Sequence, residues 1–499
     1  IALLLSLIAL AVVFLLWMFS RYFIIDRAHR SKTNRFVLVG LAIVLPLLSA
    51  KFINLDQSHF SSNNYANELA GNGLYGFAAA FRRNDLSYEK FYATLNQSQA
   101  DEILKNLAVE RVSLKPNAQV TTNPDLALPE PFIKRPKNIV LVSVESLSAH
   151  FVGAYGSTKG LTPEIDKLAK NGVQLDRLFA TGTRTVRGLE ALSLGTPPIP
   201  GQAIVHRPNN DQLDTLGMVL RNKGFNTYFI YGGYGYFDNM NAYFKGNLHE
   251  VKDRTDFAKE TIAGENIWGV ADESLFGNAV DWMDQSASTG KPFFAHIMTT
   301  SNHRPYTFPE GRIDMPSGSR DAAVKYTDYS IGQLINKAQN KPWFKDTLFV
   351  IVADHCASAA GKTQLPVAGY HIAGFMYGPD VVKPQRIGHN ISQIDIAPTL
   401  LQITGTDPAP YFFGEPIWQQ KNTDNRVFIS NYQELGYYKN NDLIVLSPKQ
   451  KVEAFKVDPA TLESTPTEVN EMLKNEAIAY YQTAAKAFKN GELKFKKAQ

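Results

Sequence analysis

The chain has 499 residues, a formal net charge of +4, and 44% hydrophobic against 20% charged residues. That length and apolar content predict more than one structural unit, with a substantial core. The weak positive charge, with no basic stripe interleaved with aromatics, gives no nucleic-acid partner. The single cysteine, Cys356, excludes a disulfide-stapled scaffold.

The first predicted element is Ile1 to Phe19, apolar throughout except for Ser6, with Trp17 near its end. At ~1.5 Å per residue it is long enough to cross a bilayer. It lacks the charged n-region and small-residue cleavage site of a signal peptide. Arg21, Arg27, Arg30, Lys32 and Arg35 follow. A second apolar run, Phe36 to Ala50, contains Pro46 and is extended by Phe52-Ile53 if Lys51 snorkels. Residues 1–53 are therefore expected to form a transmembrane region of two spans. The positive-inside rule places the basic loop in the cytoplasm and everything after Ile53 on the other side. Ile1 stands where an initiator Met would, so natural sequence, and possible further spans, are expected before it.

Residues 54–137 form the next segment. Asn54 to Val112 is amphipathic and rich in Asn and Tyr, and predicts juxtamembrane helices lying along a bilayer surface. Leu114 to Lys137 holds five prolines and reads as an extended linker.

From Asn138 the pattern changes. The β-branched and aromatic runs Asn138–Val144, Phe225–Tyr231, Lys291–Met298 and Thr347–Ala353 predict strands. Helices are expected at Thr162–Asn171, with Pro163 in the first turn, and at Asp211–Asn222, Asp272–Gln285 and Arg320–Ala338. Such alternation predicts an α/β fold, a mostly parallel sheet with helices on both faces, over residues 138–465. Residues 466–499 are expected to be a solvated helix and Lys-rich tail.

The chemistry-bearing residues sit where strands end. Glu145 follows the first strand, His303 follows Lys291–Met298, and Asp354-His355 follows Thr347–Ala353. Thr185 lies in the glycine-containing segment Thr181-Gly-Thr-Arg-Thr185. Taken singly, a Glu after a strand is a cap or surface charge, and a Thr near a glycine is a turn residue. Together they are more telling, because a parallel sheet gathers the C-terminal ends of its strands along one edge. Two carboxylates and an imidazole there make an O/N site suited to Zn²⁺ or Mn²⁺. A hydroxyl added to that site would become a nucleophile.

These residues resemble a known family. Val142-Ser-Val-Glu-Ser146, Gly182-Thr-Arg-Thr185, Thr299-Thr-Ser-Asn-His-Arg-Pro305 and Ala353-Asp-His355 are similar, in this order, to motifs of the lipoteichoic acid synthase group. Those enzymes are membrane-anchored phosphoglycerol transferases of the alkaline phosphatase and sulfatase superfamily. Tyr370-His-Ile372 and Ile394-Asp-Ile-Ala-Pro-Thr-Leu400 resemble later superfamily motifs. The resemblance spans roughly Asn138 to Gly414 and points to a Gram-negative-type member.

The resemblance implies an alkaline phosphatase/sulfatase-like fold. It also implies one divalent metal ion, Mn²⁺ in preference to Mg²⁺ or Zn²⁺, held by Glu145, Thr185, Asp354 and His355. Thr185, with Thr183 as its rival, would attack the phosphorus of a phospholipid, phosphatidylglycerol. The phosphoglycerol group would then pass to a hydroxyl of a glycan or polymer acceptor. His303, Arg304, Arg184, Arg187 and His371 are expected to bind substrate. The implied location is the inner membrane, multi-pass, with a periplasmic catalytic domain.

The Phe-Trp-Asn-Arg segment of the Gram-positive polymerases corresponds here to Phe237-Asp-Asn-Met240, and Cys356 stands where Gly commonly follows Asp-His. The alternatives are a phosphoethanolamine transferase acting on lipid A or glycan, a sulfatase- or phosphatase-like hydrolase, and an inactive receptor. The single cysteine speaks against the first. The missing Cys/Ser-x-Pro-x-Arg motif speaks against a sulfatase.

Overall fold

A computed structural model describes residues 86–107, 127–358, 364–406, 412–420 and 425–495, with scattered positions between 39 and 69. The chain divides into two units, Ile1–Ala80 and Phe81–Gln499. In the first, residues 39–40 and 42–44 are helical. The other residues of the two expected spans lie outside the described residues. No helix among the described residues is long and apolar enough to cross a membrane.

The second unit is built on a nine-stranded sheet. Its strands are β1 Asn138–Val144, β2 Val173–Phe179, β3 Asn226–Tyr231, β4 Glu250–Lys252, β5 Phe293–Met298, β6 Thr347–Ala353, β7 His371–Ile372, β8 Gly374–Tyr377 and β9 Gln385–Ser392. The order is β9-β2-β8-β6-β1-β5-β3-β4, with β7 paired to β2. β8 runs antiparallel to both its neighbours, and β7 is antiparallel to β2. The other pairs are parallel. The sheet is therefore mixed but mostly parallel. β1 and β6 are buried at every position, as strands covered on both faces must be.

The helices that matter here are α1 Gln97–Asn106, α2 Pro163–Lys170, α3 Thr185–Leu194, α4 Leu216–Asn222, α5 Asp272–Ser288, α6 Arg320–Ala338, α7 Ile396–Ile403 and α8 Glu471–Lys489. They fall into three packed groups, α2 with α6 and α5, α3 with α4 and α7, and α1 with α8. The strands expected from apolar runs are present within two residues of their predicted limits. The strands β2, β4, β7, β8 and β9 are additions to those expected. β9 has a broken burial pattern, exposed at Arg386 and Gly388, so no continuous apolar run announces it.

Two features correct the sequence reading. Residues 427–467 form a second, antiparallel sheet of five strands, β10 Val427–Ser430, β11 Leu435–Lys439, β12 Asp442–Ser447, β13 Lys451–Val457 and β14 Ser464–Thr467. And α8 is not solvated: Leu473, Ala477, Tyr480, Tyr481, Ala484 and Ala487 are buried. They repeat at helical spacing and face β11, β12 and α1. The lysines of α8 stand at its two ends, Lys474 in the first turn and Lys486 and Lys489 in the last.

Candidate active site

β1 lies between β6 and β5, parallel to both, with Val144 opposite Ala353 and Ser143 opposite Met298. That register puts Glu145, Asp354 and Thr299 at one edge of the sheet. The chain turns sharply after Glu145, through Ser146 at φ 53°. A non-glycine residue in this region is costly and must be held by its surroundings. The Ser146 N–H donates to Asp354 Oδ1 at 2.8 Å, and its hydroxyl donates to Glu145 Oε1 at 2.6 Å. The Glu145 N–H donates to Thr299 Oγ1 at 2.9 Å, and Asn302 Nδ2 donates to the Glu145 carbonyl at 2.9 Å.

Glu145, Asp354 and His355 offer ligand atoms that all lie within 4.8 Å of one another. His355 Nε2 is 3.4 Å from Asp354 Oδ2 and 3.7 Å from Glu145 Oε1. The other ring nitrogen, Nδ1, is 2.8 Å from the Cys356 carbonyl. A carbonyl can only accept, so Nδ1 carries a hydrogen, and Nε2 is the nitrogen turned toward the carboxylates, where it can serve as a ligand once deprotonated.

Burial, and then the Glu145 charge, push Asp354 up to about 7. Burial alone would lower His355, but Asp354 and Glu145 raise it above its ordinary value. Asp354 Oδ2 is fully buried and accepts no hydrogen bond from the described residues. A buried carboxylate oxygen without a donor, beside a second carboxylate, is strongly disfavoured unless a cation balances it. Two carboxylates and an imidazole, with an orphaned oxygen between them, fit a divalent metal.

Thr185 is the first residue of α3, and its Oγ1 donates to Glu145 Oε2 at 3.2 Å. Arg184, at the N-cap, is extended and contributes no side-chain cap. The partial positive charge of the helix end thus faces the site, where it favours anions. The start of α3 lies against the loop after β6. A Cβ on Gly188 would come within 2.4 Å of the Asp354 carbonyl oxygen. Gln393 clamps the same loop by donating to the Ala353 and Asp354 carbonyls at 2.9 Å each, while its Oε1 accepts the Thr181 N–H at 3.2 Å.

These groups open into a cavity of about 770 Å³ lined by Glu145, Thr183, Thr185 and His355, and also by His303, Arg304 and Arg184. His303 packs on Trp268 with ring centroids 3.8 Å apart, and the Trp268 indole N–H donates to the Arg304 carbonyl. Arg184 and Arg304 are exposed.

Two sequence expectations need correction. Arg187 reaches the cavity wall but is buried, and its guanidinium is committed elsewhere. It donates to Glu190 Oε1 at 2.9 Å and to the Ile199 and Gly201 carbonyls at 2.6 Å each. It braces the loop over α3 and is not placed to bind substrate. His371 does not line the cavity. Its Nε2 lies 2.9 Å from the Asp176 carbonyl, and its ring packs against Tyr155 and Phe179. Cys356 lines the cavity wall with its thiol donating to the His371 carbonyl at 3.2 Å. Burial pushes that thiol up to about 12.

Three residues that sequence reasoning missed also line the cavity. Arg320, at the start of α6, lies over the Tyr306 ring at 5.0 Å, and its buried Nη1 has no partner among the described residues. His206 and Asp238 pair at the cavity wall, Nε2 to Oδ1, at 3.2 Å. Asp238 lies in the altered Phe237-Asp-Asn-Met240 segment, the one signal that could have drawn attention to it. Nothing local marks His206 or Arg320.

The sulfatase family profile matches residues 137–406, more than half of the chain. The chain is 24% identical over 343 residues to lipoteichoic acid synthase 2 of Bacillus subtilis, which covers 63% of this chain and 50% of that protein. It is 27% identical over 308 residues to phosphoglycerol transferase I of Salmonella paratyphi B, which covers 57% of this chain and 40% of that protein. The chain thus spans half or less of the length of these curated relatives. Among solved structures, a protein in the alkaline phosphatase superfamily from Vibrio parahaemolyticus is 32% identical, with a TM-score of 0.75. The match covers 82% of this chain and 100% of that one. The lipoteichoic acid synthase LtaP of Listeria monocytogenes shares the fold, with a TM-score of 0.62 at 20% identity over 77% of this chain and 98% of its own.

Proposed function

The chain belongs to the sulfatase family, and from that premise we propose that it is a membrane-anchored, metal-dependent transferase. It moves a phosphoglycerol group from a phospholipid, phosphatidylglycerol, to a glycan or polymer acceptor outside the cytoplasm. Relatives named phosphoglycerol transferase and lipoteichoic acid synthase support the reaction class. The observation that carries the reading is the Thr185 hydroxyl, 3.2 Å from Glu145 Oε2 beside a buried carboxylate–imidazole cluster.

Glu145, Thr185, Asp354 and His355 would hold one divalent ion, Mn²⁺ in preference to Mg²⁺ or Zn²⁺. Such an ion lowers the pKa of a hydroxyl and neutralises phosphate charge. The rest is done by side chains. Thr185 Oγ attacks phosphorus, the bond to the diacylglycerol oxygen breaks, that oxygen takes up the proton given up by Thr185, and a glycerophospho-threonine remains. Glu145 Oε2 already accepts the hydrogen that Thr185 must lose. His303, Arg184 and Arg304 line the cavity as donors for the phosphate oxygens, with Arg320 beside them. An acceptor hydroxyl then displaces Thr185 from phosphorus and restores it. His206 and Asp238 offer hydrogen bonds to the hydroxyls of glycerol or acceptor.

The test is incubation with phosphatidylglycerol labelled in its headgroup, followed by peptide mapping. Label on Thr185 is expected. Label from phosphatidylethanolamine instead would favour the second reading, a phosphoethanolamine transferase. Asp238 is the observation behind that reading, since a carboxylate in the cavity wall suits an ammonium headgroup.

A further inference from the structure

Large apolar side chains stand exposed at few described places in the second unit, and most of them gather at one. Of eight such residues, five belong to the loops around the cavity: Tyr234, Tyr236, Phe237, Ile267 and Tyr432. Tyr236 is 77% exposed and Ile267 81%. The segments Tyr234–Phe237 and Ile267-Trp268 form one contiguous stretch of collar, and Tyr432 lines the same cavity. Tyr234 and Tyr236 lie 6.0 Å apart between ring centroids, Phe237 and Trp268 lie 5.6 Å apart, and Trp268 continues onto His303 inside the cavity.

A collar of this kind marks an interaction surface, and its composition selects the partner. Ile267 has no aromatic face for a sugar ring to stack on and no group to hydrogen-bond with one. It gains free energy only by entering hydrocarbon or an apolar protein surface. Tyrosine and tryptophan are the side chains that settle at the headgroup level of a bilayer, apolar body inward and polar tip outward. Arg184 and Arg304, exposed and lining the same cavity, complement anionic headgroups. The chain also carries the apolar runs Ile1–Phe19 and Phe36–Ala50 in its sequence.

We propose that this collar docks on a lipid surface and holds the cavity mouth against the headgroup layer. A lipid donor then enters without leaving its leaflet. The proposal rests on the reading that the donor is a phospholipid.

Two experiments test it on the full chain, reconstituted in phosphatidylcholine vesicles with phosphatidylglycerol as the minor lipid. In the first, Ile267→Cys carries an environment-sensitive dye, with Met472→Cys, 62% exposed on α8, as the reference. Brominated acyl chains are expected to quench the dye at 267 and leave the dye at 472 bright. Equal quenching at both sites overturns the proposal.

In the second, Tyr236→Ser and Ile267→Ser are combined. Turnover of bilayer phosphatidylglycerol at limiting donor is expected to fall by roughly tenfold or more, while turnover of water-soluble dibutyrylphosphatidylglycerol is unchanged. An equal fall on both donors would give the collar to the acceptor or to the chain's own residues, and overturns the docking surface. If the unsubstituted protein turns over neither donor, the assignment of the donor fails. The quenching result still decides the collar.

Discussion

The hydroxyl of Thr185 donates to Glu145 Oε2 across 3.2 Å, although the two residues are 40 apart in sequence. They meet because β1 ends at Val144, directly before Glu145, and α3 begins at Thr185. Thr185→Ala is therefore expected to lower transfer by roughly a thousandfold or more, as loss of a nucleophile does. It should leave the melting temperature nearly unchanged, since the side chain makes one hydrogen bond at a cavity wall. Diacylglycerol release and a thermal melt check both. Thr183→Ala is the control and should retain turnover. The reverse pattern would transfer the role to Thr183.

The orphaned Asp354 Oδ2 predicts that a divalent ion stabilises the fold. At a hundredfold excess over its dissociation constant, an ion bound only by the folded state adds about 2.7 kcal/mol. Adding Mn²⁺ to chelator-treated protein should raise the melting temperature accordingly. Asp354→Asn should abolish that rise. It should not lower the melting temperature of the metal-free protein, because Asn can still accept the Ser146 and His355 N–H groups that Asp354 Oδ1 accepts. Retention of the metal-dependent rise in Asp354→Asn would place the ion elsewhere.

Arg187 and Arg304 should respond differently to substitution. Arg187→Met strips a buried ion pair of one partner and leaves the Glu190 carboxylate uncompensated, at a cost of about 3–5 kcal/mol. Denaturant unfolding reads that loss. Arg304→Ala, on an exposed side chain, should leave stability unchanged and raise KM for the donor. A large KM change in Arg187→Met without loss of stability would return Arg187 to the substrate.

Gly188→Ala sets two effects against each other. Alanine in place of glycine within a helix gains about 1 kcal/mol of intrinsic propensity. The new methyl would meet the Asp354 carbonyl oxygen at 2.4 Å, and this neighbour is backbone that Gln393 clamps. Overpacking of a tight contact costs about 1–3 kcal/mol, so the clash should win. The variant is expected to be less stable and to bind Mn²⁺ more weakly, since the displaced loop carries two of the proposed ligands, Asp354 and His355. Isothermal titration checks the affinity, and wild-type affinity would show that α3 can shift away freely.

Acid sensitivity is expected from two buried histidines away from the site. Burial lowers His249 to about 4 and His296 to about 3. Around them stand the rings of Phe229, Phe244 and Phe294, with Arg221 as the charged neighbour that further lowers His249. Ser143 Oγ lies 2.7 Å from His296 Nε2. The folded values lie below the ordinary 6.5, so the unfolded chain binds more protons. Stability from these groups is complete above pH ~6.5 and falls as pH drops toward the folded values, at a limit on the order of 1.4 kcal/mol per pH unit per histidine. Melting temperature should therefore decline below pH ~6.5, and less steeply in His249→Leu. Equal slopes in the two proteins would remove His249 from the account.

Much of the site was legible because its parts are local. Asn138–Val144 and Thr347–Ala353 are apolar, β-branched runs that read as buried strands, and each is followed directly by a carboxylate. Glu145, Asp354 and His355 follow from that logic; Thr185 comes from the glycine-containing segment Thr181–Thr185 and its resemblance to the family motif. Arg187 was misjudged because a guanidinium near a nucleophile looks the same in sequence whether it faces a phosphate or the Ile199 and Gly201 carbonyls. His371 was misjudged for the same reason. His206 carries no local signal, and Asp238 carries only the altered Phe237-Asp-Asn-Met240 segment, because the pair gains meaning from their 3.2 Å contact at the cavity wall.

By itself, then, the sequence determined the alternating elements, the polar residues at strand ends and the apolar runs near its start, since these depend on side-chain period and position along one chain. The tertiary structure decided the rest: the 3.2 Å approach of Thr185 to Glu145, the second sheet that covers α8, and the partners of Arg187 and His371. Those outcomes turn on which distant backbone carbonyl or carboxylate reaches a side chain first. That is fixed by strand order and register, which no local pattern encodes.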